Sequence, residues 1–130
     1  MTIKILFSAN EENWRRYKAP LQDALDNKSL DYELGITITP SEVDYIIYAP
    51  SSPLQDFSPY TKLKAVLNLW AGVEGVTNNK TLNVPLARMV DSGLTDGMVE
   101  WVTGHTLRHH LGIDKHIHGQ DGIWLSLIHI

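Results

Sequence analysis

The spacing of apolar and polar positions divides the chain into short strands and intervening helices. Residues 3–7 are an apolar run that predicts a buried strand near the start of the chain. Residues 11–26 carry apolar side chains at spacings of three and four, which predicts an amphipathic helix with Asn10 as its N-cap. Pro20 lies inside this helix, and because proline removes a backbone hydrogen bond we expect it to kink or split the helix there.

Further apolar runs predict more strands, and a second long helix follows them. These predicted strands span residues 32–36, 44–49, 64–70 and 84–90. The segment 54–63 is predicted as a short helix or a turn. The longest helix is predicted over residues 95–119, and its apolar side chains on several sides indicate burial against more than one neighbour.

Strands that alternate with helices are typical of an α/β fold with a parallel sheet. The simplest arrangement is an open, doubly wound parallel sheet of about five strands, with the long helix in the C-terminal part of the chain. In such a sheet the ligand crevice lies beyond the carboxyl ends of the strands. Residues 8–10, 48–50 and 70–73 follow the ends of three predicted strands. We therefore expect a ligand to bind among these three segments.

Composition narrows the class of protein. The 130 residues have a mass of 14.7 kDa, and 43% of them are hydrophobic against 20% charged, which suits one globular domain. The 11 basic and 15 acidic residues give a net charge of −4, which argues against a nucleic-acid-binding protein. The lack of cysteine excludes disulfides, thiolate zinc sites and cysteine nucleophiles. With neither a membrane-spanning apolar run nor a signal-peptide pattern, we expect a cytoplasmic protein without a membrane partner.

The segment after the predicted strand at 64–70 carries the most specific chemical signal. Trp70, Ala71, Gly72 and Val73 place small residues directly at a strand end. Successive backbone N–H groups exposed there, followed by the start of a helix, can bind a carboxylate or a phosphate without a cationic side chain. A tight turn that needs Gly72 only for its conformation explains the same residues. The residues by themselves leave both interpretations open.

Histidine is confined to the C-terminal part of the chain. The six histidines are His105, His109, His110, His116, His118 and His129. His105 and His109 are four residues apart, so they can bind one metal ion from the same helix face. No Asp or Glu completes a familiar metal-binding spacing, so a solvated or interface helix is favoured and no metal is predicted. The chain also contains no GxGxxG or Walker motif and no nucleophile elbow.

Three stretches of the chain resemble one enzyme family. They are residues 63–74 (LKAVLNLWAGVE), residues 85–94 (PLARMVDSGL) with 98–102 after them, and residues 118–124 (HGQDGIW). These stretches are similar to the N-terminal part of the D-isomer-specific 2-hydroxyacid dehydrogenases, closest to the glyoxylate/hydroxypyruvate reductase A type. The resemblance covers most of residues 1–124 and is strongest from residue 63 onward. Glu74 stands where the family usually has aspartate.

The resemblance implies a flavodoxin-like substrate domain whose loop after the fourth strand donates backbone N–H bonds to the substrate carboxylate. The matching positions are Ala71 and Gly72, with Trp70 and Val73 flanking them. This agrees with the anion-site interpretation. The implied substrate is a small 2-oxo or 2-hydroxy carboxylic acid, such as glyoxylate or hydroxypyruvate.

The resemblance also implies roles outside that loop. Tyr48 and Ala49, after the third strand, would border the substrate. Met98 and Thr95, at the start of the long helix, would face the nicotinamide of an NAD or NADP cofactor. Residues 95–118 would pack in a two-fold homodimer.

The family's catalytic histidine, glutamate and arginine lie in or beyond its cofactor domain, and none has a counterpart in this chain. The local histidines are not assigned that role. We therefore expect residues 1–124 to form a substrate domain truncated before the dinucleotide-binding domain, inactive and without strong cofactor binding on its own. Residues 125–130 do not resemble the family's continuation and are predicted to be a non-native tail.

Two other classes of function remain open. A stand-alone module that binds small carboxylates or phosphates would use the same site at Ala71 and Gly72 and need no cofactor domain. An interaction fragment built around residues 95–118 would dimerise and bind no ligand. The preferred 2-oxo acid and the choice between NAD and NADP do not follow from the sequence, because the residues that decide them belong to the family's cofactor domain.

Overall fold

The computed structural model describes residues 2–122. The elements in chain order are β1 (Ile3–Ser8), α1 (Glu11–Asp26), β2 (Tyr32–Gly35), β3 (Tyr45–Tyr48), β4 (Ala65–Asn68), α2 (Glu74–Thr77), β5 (Leu86–Ala87), α3 (Ser92–His110) and α4 (Ile113–His118). A single 3₁₀ turn, Pro40–Glu42, precedes β3. The predicted tail at 125–130 lies outside the described residues, as do residues 123 and 124 of the family-like ending.

The chain divides into two compact units with a boundary between Val90 and Asp91. The first unit holds a parallel sheet of five strands in the order β2-β1-β3-β4-β5. This confirms the predicted open, doubly wound α/β fold. The strands are shorter than predicted at several ends, because the apolar runs continue into the loops that follow the hydrogen-bonded residues.

One face of the sheet is covered by α1. The helix begins at the predicted cap, where the Asn10 side chain accepts a hydrogen bond from the Asn13 backbone N–H at 2.8 Å. Its apolar stripe packs on the strands, and the Phe7 and Trp14 rings lie 5.2 Å apart. Pro20 does not split the helix, which continues to Asp26. Packing of the apolar stripe outweighs the hydrogen bond that proline removes.

The opposite face is covered mainly by connecting segments. Leu6, Ile46, Tyr48 and Val66 are buried there in one cluster with side chains from outside the sheet, including Phe57. The segment predicted as a short helix or turn at 54–63 consists of turns and irregular backbone without a helix. A helix is not needed in this segment, because the turns place single large side chains, such as that of Phe57, against the sheet.

The amino end of the sheet carries a buried carboxylate. Asp44 accepts a hydrogen bond from the Lys4 backbone N–H at 3.0 Å and lies 2.8 Å from the Lys64 Nζ. Both donors favour the ionised form, so they hold the pKa of the Asp44 carboxyl below its ordinary value, the Lys4 N–H being the larger influence. Asp44 thereby links residues that belong to three neighbouring strand regions.

The second unit contains α3 and α4. The Asp91 side chain caps α3 by accepting from the Gly93 N–H at 2.9 Å. The prediction of one helix over residues 95–119 was wrong, because α3 ends before Gly112, which adopts a left-handed φ of 61°, and α4 begins after it. None of the residues of α3 is buried within the chain. None of the helices in residues 2–122 is long and apolar enough to cross a membrane.

Candidate functional site

The parallel register gathers the predicted ligand segments at one edge of the sheet. Ser8 on β1 pairs with Tyr48 on β3, and Tyr48 pairs with Asn68 on β4. These residues are the last of their strands, so the loops that follow them start side by side. The loop after β4, residues 70–73, is the one with the backbone groups that an anion requires.

The side chain of Asn68 holds two carbonyl groups of this loop. Its Nδ2 donates to the Trp70 carbonyl oxygen at 2.7 Å and to the Gly72 carbonyl oxygen at 2.9 Å. The residue is only 5% exposed, so these bonds form in a site sheltered from water. The loop therefore bends around the amide of a side chain that belongs to the sheet.

The remaining carbonyl of the loop is held from the next strand. The Arg88 Nη1, just after β5, donates to the Ala71 carbonyl oxygen at 3.4 Å. The Met89 backbone N–H adds a second bond to the Trp70 carbonyl at 3.3 Å. The three consecutive carbonyls of residues 70, 71 and 72 thus all accept hydrogen bonds from the chain.

The N–H groups of the loop remain available. In a trans peptide the N–H points away from the carbonyl of the same unit, so the N–H groups of Ala71, Gly72 and Val73 point away from the donors that hold the carbonyls. Within residues 2–122 these three N–H groups make no hydrogen bond, and their residues are half-buried. They form a short row of unpaired donors, which is the arrangement that binds carboxylates and phosphates. The following helix α2 has only four residues, so its dipole adds little.

Gly72 is not required for its backbone conformation, and its missing side chain leaves room beside the loop. Its φ is not positive, so a side chain is not excluded by the turn itself. A Cβ at this position would lie 3.0 Å from the Glu74 Oε2. The Glu74 carboxylate therefore stands next to the loop, where its charge opposes the binding of an anion.

Comparisons with known proteins bear on the fold and on the family. No protein-family model matches the chain, and no curated protein matches it. One similar solved structure is a D-isomer-specific 2-hydroxyacid dehydrogenase from Xanthobacter autotrophicus Py2 in complex with NADPH and MES. It is 26% identical with a TM-score of 0.70, and the match covers 97% of this chain and 42% of that one. Its family is the one that the sequence resembles.

A second solved structure supports the fold. It is a probable 2-hydroxyacid dehydrogenase from Rhizobium etli CFN 42 in complex with NADP, HEPES and L(+)-tartaric acid. It is 22% identical with a TM-score of 0.68, and the match covers 97% of this chain and 41% of that one. The chain therefore spans about two fifths of the length of these dehydrogenases.

The other residues predicted near a substrate are largely in the core. Tyr48 is 2% exposed, and its hydroxyl donates to the Leu54 carbonyl oxygen at 3.2 Å. Ala49 is fully buried, whereas Trp70 is 45% exposed beside the loop. A role in substrate binding remains a prediction for Tyr48 and Ala49, and their side chains already serve the packing of the sheet.

The residues predicted near a cofactor lie in the second unit. Thr95 and Met98 lie on an exposed, mainly apolar face of α3, together with neighbouring residues of the same helix. Their contact with nicotinamide remains a prediction. The His105 ring lies 4.3 Å from the Trp101 ring, and residues 2–122 contain no cluster of three or more potential metal ligands.

Asn68 and Arg88 were not predicted from the sequence as residues of the site. The available signal for Asn68 was a polar residue at an inward-facing position of an otherwise apolar strand. Arg88 likewise follows directly on an apolar run at the carboxyl edge of the sheet. Because the partners of both side chains are backbone carbonyls, no pattern of residue types reveals the contacts.

Proposed function

We propose that the chain is the substrate-binding part of an NAD(P)H-dependent 2-hydroxyacid dehydrogenase of the glyoxylate/hydroxypyruvate reductase type. The observation that carries this proposal is the row of unpaired N–H groups at Ala71, Gly72 and Val73, located at the carboxyl edge of a doubly wound sheet. The similarity to a dehydrogenase that was solved with NADPH supports the reaction class. The reaction of the whole enzyme is the reduction of a 2-oxo acid to the 2-hydroxy acid.

In this proposal the loop binds and orients the substrate. A carboxylate has two oxygen atoms that accept hydrogen bonds, and adjacent backbone N–H groups can reach both of them. Binding through backbone donors fixes the carboxylate at the loop, so the carbonyl next to it is held in a defined direction. The exposed Trp70 side chain beside the loop offers an apolar wall that suits a short substrate.

The residues of the first unit do not fit a dinucleotide. The sequence has no GxGxxG after β1, and the first turn of the helix that follows β1 carries Glu11 and Glu12. Two carboxylates at that helix start disfavour a pyrophosphate, which binds helix N-termini in dinucleotide domains. We propose that NAD or NADP is bound by other residues of the whole enzyme.

Two further features belong to the proposal. The second unit exposes apolar side chains such as Met98, Trp101 and Val102, which suits a homodimer formed through residues 95–118. A cytoplasmic location would fit an enzyme that uses a soluble nicotinamide cofactor.

The test is calorimetry on the 130-residue chain with oxalate, a stable two-carbon analogue of glyoxylate, and with acetate and inorganic phosphate as comparisons. We expect oxalate to bind more tightly than acetate, and phosphate to bind weakly. Preferential binding of phosphate would favour the stand-alone anion-binding module. No binding of any of the three would contradict the proposed site.

A second assay concerns catalysis. The chain is mixed with glyoxylate and NADPH, and the loss of NADPH absorbance is followed. We expect no oxidation above the background rate. Turnover by the purified chain would contradict the proposal that the cofactor is held by other residues.

A further inference from the structure

Asn68 is a buried polar side chain with an incomplete set of hydrogen bonds. It lies on β4 next to the buried Val66 cluster and is itself buried. Its Oδ1 is buried and has no hydrogen-bond partner within residues 2–122. An orphaned buried acceptor costs free energy, so a side chain that keeps one is held in place by another requirement.

The requirement is that the Asn68 side chain holds the loop that follows β4. The Asn68 amide nitrogen donates hydrogen bonds to two carbonyl oxygens of this loop, that of Trp70 at 2.7 Å and that of Gly72 at 2.9 Å. Only the NH₂ group can donate to two carbonyls, and the opposite orientation would place Oδ1 against both of them. The loop therefore dictates the orientation of the amide, and the orphaned Oδ1 is the consequence.

Arg88 holds the one carbonyl between residues 70 and 72 that Asn68 does not bond. It is exposed, and within the described part of the chain its guanidinium forms no ion pair, so its interaction with the Ala71 carbonyl is its specific contact. Asn68 and Arg88 together engage every carbonyl from residue 70 to residue 72. Within residues 2–122, the other hydrogen bonds to carbonyls of the loop are those from the Met89 N–H to the Trp70 carbonyl and from the Val76 and Thr77 N–H groups to the Val73 carbonyl.

We propose that Asn68 and Arg88 are positioning residues, which hold the carbonyls of the loop in hydrogen bonds and so leave the N–H groups of Ala71, Gly72 and Val73 free to bind one carboxylate. This inference rests on the proposed function of the loop. A bonded carbonyl also polarises its own peptide group, so the N–H of the same unit becomes a stronger donor. Neither side chain needs to touch the ligand.

The first test compares two matched asparagines by calorimetry with oxalate. Asn68→Ala removes the two hydrogen bonds donated to the loop. Asn79→Ala removes a comparable donor in another loop, where Nδ2 donates to the Gln55 carbonyl at 2.7 Å, together with an Oδ1 that accepts from the Thr81 N–H and hydroxyl. We expect Asn68→Ala to weaken oxalate binding about tenfold and Asn79→Ala to leave it unchanged. Because Asn68→Ala also removes the orphaned Oδ1, the melting temperature should fall no further than in the control. Equal oxalate affinity in Asn68→Ala and wild type would overturn the proposal.

The second test uses Arg88, whose side chain is exposed, so its replacement is expected to leave the core packing unchanged. Arg88→Met is expected to weaken oxalate binding about threefold, and Arg88→Lys to restore part of the loss, because lysine keeps a donor but not the planar fork. If Asn68→Ala fails to fold, the oxalate affinities of Arg88→Met and Arg88→Lys test the positioning role instead. An unchanged oxalate affinity in Arg88→Met would then overturn the proposal.

A ligand-free measurement separates this inference from the proposed function. Backbone ¹⁵N relaxation reports the order of residues 70–73 without any carboxylate present. We expect these residues to be as ordered as β4 in the wild type and more mobile in Asn68→Ala. Absence of oxalate binding by the wild type would reject the proposed function alone, and unchanged relaxation in Asn68→Ala would reject the positioning role.

Discussion

The side-chain amide of Asn68 donates to the carbonyl of Gly72 at 2.9 Å and closes the loop that follows β4. This contact connects a core residue of the sheet to the backbone that carries the candidate site. Its effect, with the matching bond to the Trp70 carbonyl, is to hold two carbonyls toward Asn68, so that the N–H groups of Ala71 and Val73 point away from it.

Substitution of Gly72 by alanine is expected to weaken carboxylate binding with little effect on the fold. The added Cβ would lie 3.0 Å from the Glu74 Oε2, which is the flexible end of an exposed side chain and can move away. The methyl group then takes up space in front of the loop donors, and we expect oxalate affinity to fall about tenfold, the equivalent of one lost hydrogen bond. Calorimetry and thermal unfolding on the same preparation separate the two effects.

Gly75→Ala is the matched control for that substitution. Nothing lies within 4 Å of a Cβ at Gly75, which is inside α2. Alanine is the better helix former, so stability should rise by up to about 1 kcal/mol while oxalate affinity stays constant. Equal losses of affinity in Gly72→Ala and Gly75→Ala would show that the effect is not specific to the loop.

Neutralising Glu74 is expected to strengthen carboxylate binding. Its carboxylate stands beside Gly72 and repels an approaching anion. We expect Glu74→Gln to bind oxalate about threefold more tightly than wild type at low salt, with a smaller difference at high salt because the repulsion is screened. Asp23→Asn, on α1, changes the net charge by the same amount and should have no effect. Weaker binding in Glu74→Gln would instead assign the carboxylate a supporting role.

The buried carboxylate of Asp44 predicts a pH dependence of stability. The Lys4 N–H and the Lys64 ammonium lower the pKa of Asp44 below its ordinary value of 3.8. Since the folded pKa is depressed, the stabilisation is fully present above the unfolded pKa and is lost as the pH falls through the folded pKa. Asp44→Asn should therefore cost about 2 kcal/mol of unfolding free energy near neutral pH and less in acid.

Urea unfolding of wild type and Asp44→Asn at a series of pH values measures this difference. Asp23→Asn, with an exposed carboxylate, is the control and should follow the wild-type curve. The difference in unfolding free energy between wild type and Asp44→Asn should shrink in acid. If it stays constant from neutral to acid pH, the ionised Asp44 carboxylate is not the source of the stabilisation.

Gly112 is expected to be essential for the break between α3 and α4. Its φ of 61° is the left-handed conformation that alanine adopts with strain, so Gly112→Ala should destabilise the break by about 1 kcal/mol. Gly104→Ala, inside α3 with open space around its Cα, should raise helicity instead. Far-UV circular dichroism during thermal unfolding compares the two variants. A higher melting temperature for Gly112→Ala would show that a continuous helix is the more stable form.

The sequence was sufficient for the elements that local patterns determine. The bounds of α1 were predicted correctly because Asn10 is a strong cap and the apolar spacing is regular up to Asp26. The parallel, doubly wound sheet was predicted correctly from the alternation of strands and helices. The break at Gly112 was missed because apolar residues continue on both sides of it, so the periodicity shows no interruption.

The candidate site was predicted only in part for a related reason. Ala71 and Gly72 are visible as small residues after a strand, and the family resemblance points to the same positions. Asn68 and Arg88 act through backbone carbonyls of a loop whose path is set by the packed sheet. Such contacts depend on tertiary structure, and spacing along the chain carries no signal for them.

The most direct test of the central claim is a titration of the ¹⁵N-labelled chain with oxalate, followed by the amide chemical shifts. We predict saturable changes in chemical shift that are largest at Ala71, Gly72 and Val73, because their N–H groups form hydrogen bonds to the carboxylate. Saturable shifts confined to another part of the chain, or unchanged shifts at these three amides, would contradict it.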